Sequence, residues 1–275
     1  MARPVDAARL DQLAREVLAA LATGQQLAPF SARDPSFDLA EAYKVTARVR
    51  DLRKARGEMP IGRKIGFTNK AVWGGLNISG PIWNYLYDST VHDLGAGDPT
   101  FVLGNLQEPR IEPEIVLHLC SAPDPGMDDP ELLACLDWVA HGFEIVHSIF
   151  PGWSFAAADA AAAFGLHGAL LLGARYPVSP DPACWDVALA SFTIDLLGSK
   201  GMRRQGHGAN VLGGPIKALR FLVKELGRYP ACEPLAPGEL ITTGTLTEAM
   251  PVRAGQTWST VLDGIGLPGI SVRFC

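Results

Sequence analysis

The sequence predicts an α+β protein, with a helical N-terminal region over residues 1–60 followed by a mixed, strand-rich domain over residues 61–275. Two observations carry that expectation. Before residue 57, apolar residues recur at spacings of three and four, the period of a helix half-buried against a core. From Gly62 onward, short apolar runs are separated by Gly, Pro and Asp, the texture of strands joined by turns.

Leu10, Leu13, Val17 and Leu21 share one helical face and Gly24 offers a stop, so a first helix is expected over residues 5–23. Asp38 with Glu41 three residues later reads as a capping-box variant, and Val45, Val49 and Leu52 carry a second helix toward Gly57. Expected strands are Ile61–Phe67, Ile111–Leu119, Gly168–Leu172, Ala188–Leu197, Leu240–Thr243, Thr257–Leu262 and Gly269–Phe274. Two helices interrupt them, over residues 130–147 and 215–226. In the latter, Ile216, Leu219, Leu222, Val223 and Leu226 share a face. There is no internal repeat, and the turn between Gly57 and Gly62 is the one boundary the pattern suggests.

Composition excludes several classes. Hydrophobic residues make up 48% and charged residues 19% of the 275, so neither a disordered nor a fibrous chain is expected. The formal net charge of −5 and the scattered Lys and Arg argue against a nucleic-acid footprint, which needs a basic face to neutralise phosphates. Five cysteines with no CxxC spacing fit neither a disulfide framework nor a zinc knuckle and suit a reducing cytoplasm. Arg3, Asp6, Arg9 and Asp11 interrupt any signal-peptide stretch, and no segment approaches the ~20 apolar residues of a membrane span.

The chemistry-bearing feature is Arg110-Ile-Glu-Pro-Glu-Ile-Val-Leu-His-Leu119. Strand alternation places Glu112 and Glu114 on one face and Ile111, Pro113, Ile115, Leu117 and Leu119 on the other. Pro113 cannot donate a ladder hydrogen bond, so this end of the strand is expected at an edge or a bulge. Two carboxylates on one face repel each other, and a divalent cation relieves that repulsion; oxygen ligands suit Mg²⁺ or Mn²⁺ better than Zn²⁺. Taken alone, an E-x-E is more often a solvated strand face. Glu144, expected just after a helix and set among Phe143, Ile145 and Val146, is a third carboxylate whose apolar company calls for a partner, a ligand role or a proton. The bland alternative is a polar residue at a helix end. His92, His118, His141, His147, His167 and His207 show no metal-pair spacing.

Six stretches together resemble the 2-keto-4-pentenoate hydratase and 4-oxalocrotonate decarboxylase group of the fumarylacetoacetate hydrolase superfamily. They are Gly62-Arg-Lys-Ile-Gly-Phe-Thr-Asn-Lys70, Leu86-Tyr-Asp-Ser-Thr90, Pro109-Arg-Ile-Glu-Pro-Glu114, Phe143-Glu-Ile145, Ile241-Thr-Thr-Gly-Thr-Leu246 and Pro268-Gly-Ile-Ser-Val-Arg-Phe274. The resemblance implies a distorted mixed β-roll, Glu112, Glu114 and Glu144 as ligands of Mg²⁺ or Mn²⁺, and a homo-oligomer that associates with a decarboxylase or hydratase partner. It implies a catalytic role for Lys64, for which Gly62 and Gly66 are expected to leave clearance. A metal-bound substrate and a partly dry pocket are expected to lower its pKa. Asp88 is placed to orient Lys64 or handle a proton, or else simply to form its turn. Thr243, Gly244 and Thr245 resemble the loop that approaches a substrate carboxylate.

After the third glutamate the chain departs from the hydratase pattern, because Phe155-Ala-Ala-Ala-Asp-Ala-Ala-Ala-Ala-Phe-Gly-Leu-His-Gly168 is poor in polar residues. Asp159 and His167 are the polar groups left there, either for substrate contact or as caps. Trp73, Trp83, Tyr85 and Trp153 suggest an aromatic pocket or core, and an apolar or small substrate tail is expected. The implied reaction is hydration of a 2-hydroxy-2,4-dienoate to a 4-hydroxy-2-oxo acid. Its rivals are 4-oxalocrotonate-type decarboxylation, acylpyruvate C–C hydrolysis, for which no His and Glu water-activating pair is evident, and a silent partner subunit.

Overall fold

The computed structural model describes residues 7–70, 73, 80–95, 99–178, 182–229 and 231–275. Helix Ala7–Thr23 buries Leu13, Ala14, Val17 and Leu18, the face its period foretells; residues 5 and 6 of the expected helix lie outside the described residues. Helix Leu39–Lys54 starts where Asp38 accepts a hydrogen bond from the Glu41 N–H, which satisfies one of the otherwise unpaired donors of the first turn. Both helices share one apolar core with the strand-rich region, where the Tyr43 ring stacks on Trp83 with centroids 4.9 Å apart.

The strands are β1 (Pro60–Gly66), β2 (Ile82–Tyr87), β3 (Val91–Asp93), β4 (Thr100–Phe101), β5 (Arg110–Leu119), β6 (Leu136–Val146), β7 (His167–Pro177), β8 (Thr193–Gly198), β9 (Met202–His207), β10 (Leu240–Thr242), β11 (Met250–Pro251), β12 (Thr257–Asp263) and β13 (Ser271–Phe274). One sheet runs β2-β1-β10-β5-β6-β7-β3, with β11 also on β5, and the second runs β4-β13-β12-β8-β9. The pairs β1 with β10, β3 with β7 and β4 with β13 are parallel and the other pairs are antiparallel, so both sheets are mixed. His141 ties the two sheets together: its Nδ1 lies 2.9 Å from the Glu114 carbonyl oxygen and its Nε2 2.9 Å from Thr260 Oγ1. Burial pushes this imidazole down to about 4, so it stays neutral. Among the described residues, no helix is long and apolar enough to cross a membrane.

Several expectations need correction. The segment expected as one helix over 130–147 is a short helix, Asp129–Ala134, followed by β6. Buried on both faces over most of its length, β6 shows a near-continuous apolar run, and Leu136, Val139, Ala140 and Phe143 continue the helical spacing set by Leu132 and Leu133 of the short helix before it. The expected strand Ala188–Leu197 is instead the end of helix Pro182–Ser191 and the start of β8. Strands β2 and β9 were not anticipated. Trp83 and Tyr85 of β2 are core residues, with the Arg63 guanidinium 4.0 Å from the Tyr85 ring centroid. Pro113 is not at a sheet edge: it pairs with Phe143 in the middle of the sheet. On its other side β10 has ended and β11 has not begun, and there the Leu246 N–H donates to the Pro113 carbonyl. Residues of a strand point N–H and C=O to the same side, so the missing Pro113 N–H falls in this gap and weakens no ladder.

Candidate metal centre and active site

Register assembles the site. Glu112 lies directly across the β5–β6 ladder from Glu144, and Glu114 is one alternation further along the same face. One carboxylate oxygen from each of the three falls within 4.8 Å of the others. Glu114 and Glu144 are fully buried, while Glu112 keeps partial exposure at the mouth. Glu144 is therefore a mid-strand residue, not the helix-end carboxylate expected from its neighbours.

Lys64 enters from β1, paired with Asn84 of β2 on one side and Thr242 of β10 on the other. Its side chain is 3% exposed, and its Nζ donates to the Gly165 carbonyl at 2.8 Å and stands 3.4 Å from Glu144 Oε2. The clearance expected from Gly62 and Gly66 is only half right. A Cβ at Gly66 would stand 3.3 Å from Lys64 Nζ, whereas a Cβ at Gly62 would strike the Leu240 carbonyl at 2.1 Å, so Gly62 serves the approach of β10. The missing part of the frame is Gly165, where a Cβ would meet Lys64 Cδ at 2.9 Å.

The electrostatics follow from burial and crowding. Glu114 is pushed well above the usual carboxylate range, first by burial and then by the charges of Glu144 and Glu112. Glu112 is raised to about 7, mainly by burial, with Lys64 pulling the other way. Burial presses Glu144 upward too, but Lys64 and the His167 contact outweigh it and hold this carboxyl down to about 2. For Lys64 burial favours the neutral amine, and the attraction of Glu144, Glu112 and Glu114 prevails and raises it. The lowering expected was for a site holding a metal-bound substrate; in the chain alone the carboxylates keep the ammonium charged.

Glu114 Oε1 and Glu144 Oε2 are buried oxygens without a hydrogen-bond partner among the described residues, and the hydroxyls of Thr68 and Thr242 are likewise unpaired. Thr242 pairs with Lys64 and Val116, which places it on the face of Glu114. Leaving such acceptors unmatched is costly, at ~1–3 kcal/mol or more for charged groups, so this arrangement calls for a guest. Three carboxylates with buried free oxygens fit a hard divalent cation.

No protein-family model matches the chain. Among curated proteins it is 33% identical over 248 residues to 2-hydroxyhexa-2,4-dienoate hydratase of Comamonas testosteroni, covering 90% of this chain and 91% of the relative. The chain belongs to the 2-keto-4-pentenoate hydratase family. A 2-keto-4-pentenoate hydratase of Burkholderia vietnamiensis is 30% identical over 257 residues, covering 92% and 94% of the two chains. In fold, this hydratase-family chain resembles 4-oxalocrotonate decarboxylase from Pseudomonas putida G7, complexed with magnesium and adipate, at a TM-score of 0.90 over 100% of both chains and 23% identity. It also resembles fumarylpyruvate hydrolase from Pseudomonas aeruginosa, in complex with Mn²⁺ and pyruvate, at a TM-score of 0.58 over 78% of this chain and 88% of the other, with 15% identity.

Within this hydratase-family fold, the remaining sequence candidates separate. Gly244 is at the centre, with its N–H donating to Glu114 Oε2 at 2.7 Å. Thr243 faces away from the carboxylates and donates through Oγ1 to the Ile115 carbonyl at 3.0 Å, while Thr245 Oγ1 donates to the Thr247 carbonyl at 3.0 Å. His167 joins the site: Nδ1 is 2.8 Å from Glu144 Oε1 and Nε2 3.0 Å from Thr90 Oγ1. Burial outweighs the pull of Glu144 and lowers this imidazole, which is therefore neutral near pH 7.

Asp159 is not brought to the cluster. It is buried 128 residues from Ser31 in sequence and accepts from Ser31 N, Ser31 Oγ and Ala156 N at 2.8, 2.5 and 2.8 Å, joining helices Phe30–Arg33 and Ala157–Ala162. Asp88 is exposed and accepts from the N–H groups of Met59 and Ser89. It is four residues beyond Asn84, the β2 partner of Lys64, or roughly 13 Å along the strand. The structure therefore gives it the turn-forming role. His118, on the face of the glutamates, pairs with Asp137 at 2.6 Å at the surface. Thr68, Thr242, Thr90 and Gly165 were missed. A hydroxyl or a carbonyl carries no sequence signature, although the glycine of Phe164-Gly165-Leu166 marks a backbone exception.

Proposed function

We propose that this chain is a divalent-metal-dependent hydratase that adds water to a 2-hydroxy-2,4-dienoate and yields a 4-hydroxy-2-oxo acid. The observation that carries the reading is the cluster of Glu112, Glu114 and Glu144, with the Lys64 ammonium 3.4 Å from Glu144 Oε2 and Glu114 Oε1 buried without a hydrogen-bond partner among the described residues. The names of the relatives at 33% and 30% identity support the reaction class. Glu112, Glu114 and Glu144 would hold Mg²⁺ or Mn²⁺, which supplies Lewis-acid stabilisation of negative charge on the oxygen at C2.

The chain's own residues account for the proton traffic. Lys64 is the buried ammonium at the cluster, fixed by the Gly165 carbonyl, and it delivers the proton that converts the dienol to the conjugated enone. The amine left behind takes up the 2-hydroxyl proton; when water adds at C4 the ammonium protonates C3 and recovers the proton that the attacking water sheds. With the charge of the carboxylates neutralised by a bound cation, burial lowers the Lys64 pKa, which suits a group that must both give and take. Buried apolar residues behind the site, among them Val116, Ala140 and Leu170, exclude bulk water from the reacting carbons. Assembly as a homo-oligomer and a cytoplasmic setting accompany this reading; no disulfide joins the described cysteines. Lys64 together with all three carboxylates speaks against a silent subunit.

The test supplies 2-hydroxypenta-2,4-dienoate and 4-oxalocrotonate with Mg²⁺ or Mn²⁺, and follows loss of diene absorbance and release of CO₂. Diene loss without CO₂ is expected. Release of CO₂ assigns decarboxylation instead, and turnover indifferent to EDTA sinks the metal reading. Glu114→Gln is expected to abolish both bound metal and turnover with the fold intact.

A further inference from the structure

Arg110 stands on the face of the glutamates, two residues before Glu112 and roughly 7 Å from it along β5, at the mouth where Glu112 keeps its partial exposure. Its guanidinium takes part in no ion pair and no hydrogen bond among the described residues. Three carboxylates act on its charge, and each is held elsewhere. Glu112 belongs to the cluster, Glu108 Oε1 accepts from Gln26 Nε2 and the Gly152 N–H at 2.8 and 2.9 Å, and Glu248 pairs with Arg204 at 2.9 Å.

The arginine is nevertheless fixed in place. Its Cζ stands 4.1 Å from the Trp153 ring centroid, a cation–π contact. Trp153 has φ +56°, and its Nε1–H donates to the Glu108 carbonyl at 3.1 Å. A tryptophan in left-handed backbone is strained, and such strain persists only where the surroundings fix it. The N–H fork of Arg110 is thus placed in advance and left without an acceptor, and a fork of this kind takes a carboxylate by two parallel hydrogen bonds.

Lys64 marks the opposite end of the site. It pairs with Thr242, which pairs with Val116, so its backbone lies level with the residue two beyond Glu114, whereas Arg110 lies two before Glu112. In the hydration proposed above, Lys64 serves C3 and the far end of the diene, so those carbons lie on its side and C1 lies on the other. Charge gives the same answer. Three ionised carboxylates are balanced by one dication and the Lys64 ammonium, which leaves the charge of Arg110 for the incoming acid. We propose that Arg110, carried on the Trp153 ring, receives the C1 carboxylate of the 2-oxo acid and sets which way round the substrate lies, with C1 at the mouth and the reacting carbons toward Lys64. This rests on the hydratase reading and adds the residue that recognises the acid, at a site indifferent to charge at the substrate's far end.

The test is calorimetric titration of the full chain, saturated with MnCl₂, using two unreactive acids that differ at the far end, 2-oxopentanoate and 2-oxohexanedioate. Arg110→Met keeps an apolar stem over Trp153 and loses the fork, and it should weaken both acids by one common factor of roughly 10- to 100-fold, the size of a lost hydrogen bond to a charged group. Arg110→Lys, which keeps the charge, should lose less. Affinity for Mn²⁺, titrated without acid, should not fall in either variant. A folded Arg110→Met protein that binds both acids as the wild type does overturns the inference. So does a loss confined to 2-oxohexanedioate, which would assign Arg110 to the far end, and so does a parallel loss of Mn²⁺, which would make the residue a support of the cluster. A crystal structure of the wild type with Mn²⁺ and 2-oxopentanoate, expected to show the C1 carboxylate hydrogen-bonded to Arg110, decides the matter even if Arg110→Met fails to fold; a carboxylate out of its reach overturns the inference. A Mn²⁺-saturated wild type that binds neither acid overturns the hydratase reading and the inference with it.

Discussion

Gly244→Ala offers the sharpest perturbation of the site, because one added methyl strikes backbone, packing and carboxylate at once. The position has φ +101°, a region that disfavours an L side chain by ~1–3 kcal/mol. The new Cβ would stand 1.8, 2.9 and 3.0 Å from Thr68 Oγ1, Cβ and Cγ2, an overlap of the kind that destabilises by ~1–3 kcal/mol. Any shift that relieves the overlap pulls the Gly244 N–H away from Glu114 Oε2, and a hydrogen bond of this kind contributes ~0.5–1.5 kcal/mol. One displacement of the turn relaxes the second loss at the expense of the third, so the three do not add fully, and about 4 kcal/mol is a fair total. At ~2–4 °C per kcal/mol for a chain of this size, the melting temperature falls by about 8–16 °C. Circular dichroism on the EDTA-treated protein reads it directly. Adding Thr68→Ala removes the contacts with Oγ1 and Cγ2 and leaves φ untouched, so the double variant should recover part of the loss. A single variant melting within about 2 °C of the wild type, or a double variant no better than the single, refutes the reasoning.

The raised carboxyls give a pH signature. Glu112, at about 7, and Glu114, higher than usual, bind protons in the folded chain that the unfolded chain has already released above its ordinary carboxylate pKa, so their contribution to the stability of the metal-free protein falls as pH rises from about 4.5 toward 7. Glu144 runs the other way, but its folded value near 2 confines its loss to more acidic solution. His141 and His167, lowered in the folded chain, oppose the decline below about 6.5, where the unfolded chain takes up their protons, so melting of the EDTA-treated chain should decline only between about pH 6.5 and 7.5, with Mn²⁺ restoring most there; a profile that rises over that interval contradicts the assignment. The two aspartates set apart from the cluster should differ in stability alone. Asp159→Asn, which turns an amide toward three buried donors, should destabilise by ~2 kcal/mol or more, and exposed Asp88→Ala by about 1 kcal/mol with turnover retained. Urea denaturation in the opposite order, or loss of turnover in Asp88→Ala, counts against these placements.

Much of the site was legible because strand alternation is a local rule. Glu112 and Glu114 on one face and their apolar neighbours on the other follow from the period of two, and the structure repeats that pattern in β5. Glu144 was harder, since its partner is set by the register between β5 and β6, and no local pattern encodes register across a turn. The error over residues 130–147 shows why: in a strand buried on both faces periodicity vanishes, and only chain length separates it from a buried helix. Asp88 illustrates the converse. Its neighbourhood matches a family landmark, but where its carboxylate points depends on the Met59 and Ser89 N–H groups and on its distance along β2 from Asn84. The two long helices of the first 60 residues were readable down to the Asp38 cap because the cap and the start of the apolar stripe are local signals, whereas the four-residue helix Phe30–Arg33 is too short to show a period.

The turn at Phe164, Gly165 and Leu166 has positive φ at all three residues, 58°, 59° and 66°, an arrangement that bulky side chains ordinarily refuse. Its product is a single carbonyl aimed at Lys64. An anchor made of main chain has no side chain to mutate. The Ala-rich residues ahead of it, Ala160, Ala161 and Ala162 among them, are buried in the main core, so a larger side chain there would push the turn and the ammonium's anchor with it, and at residue 165 any added carbon collides with the lysine.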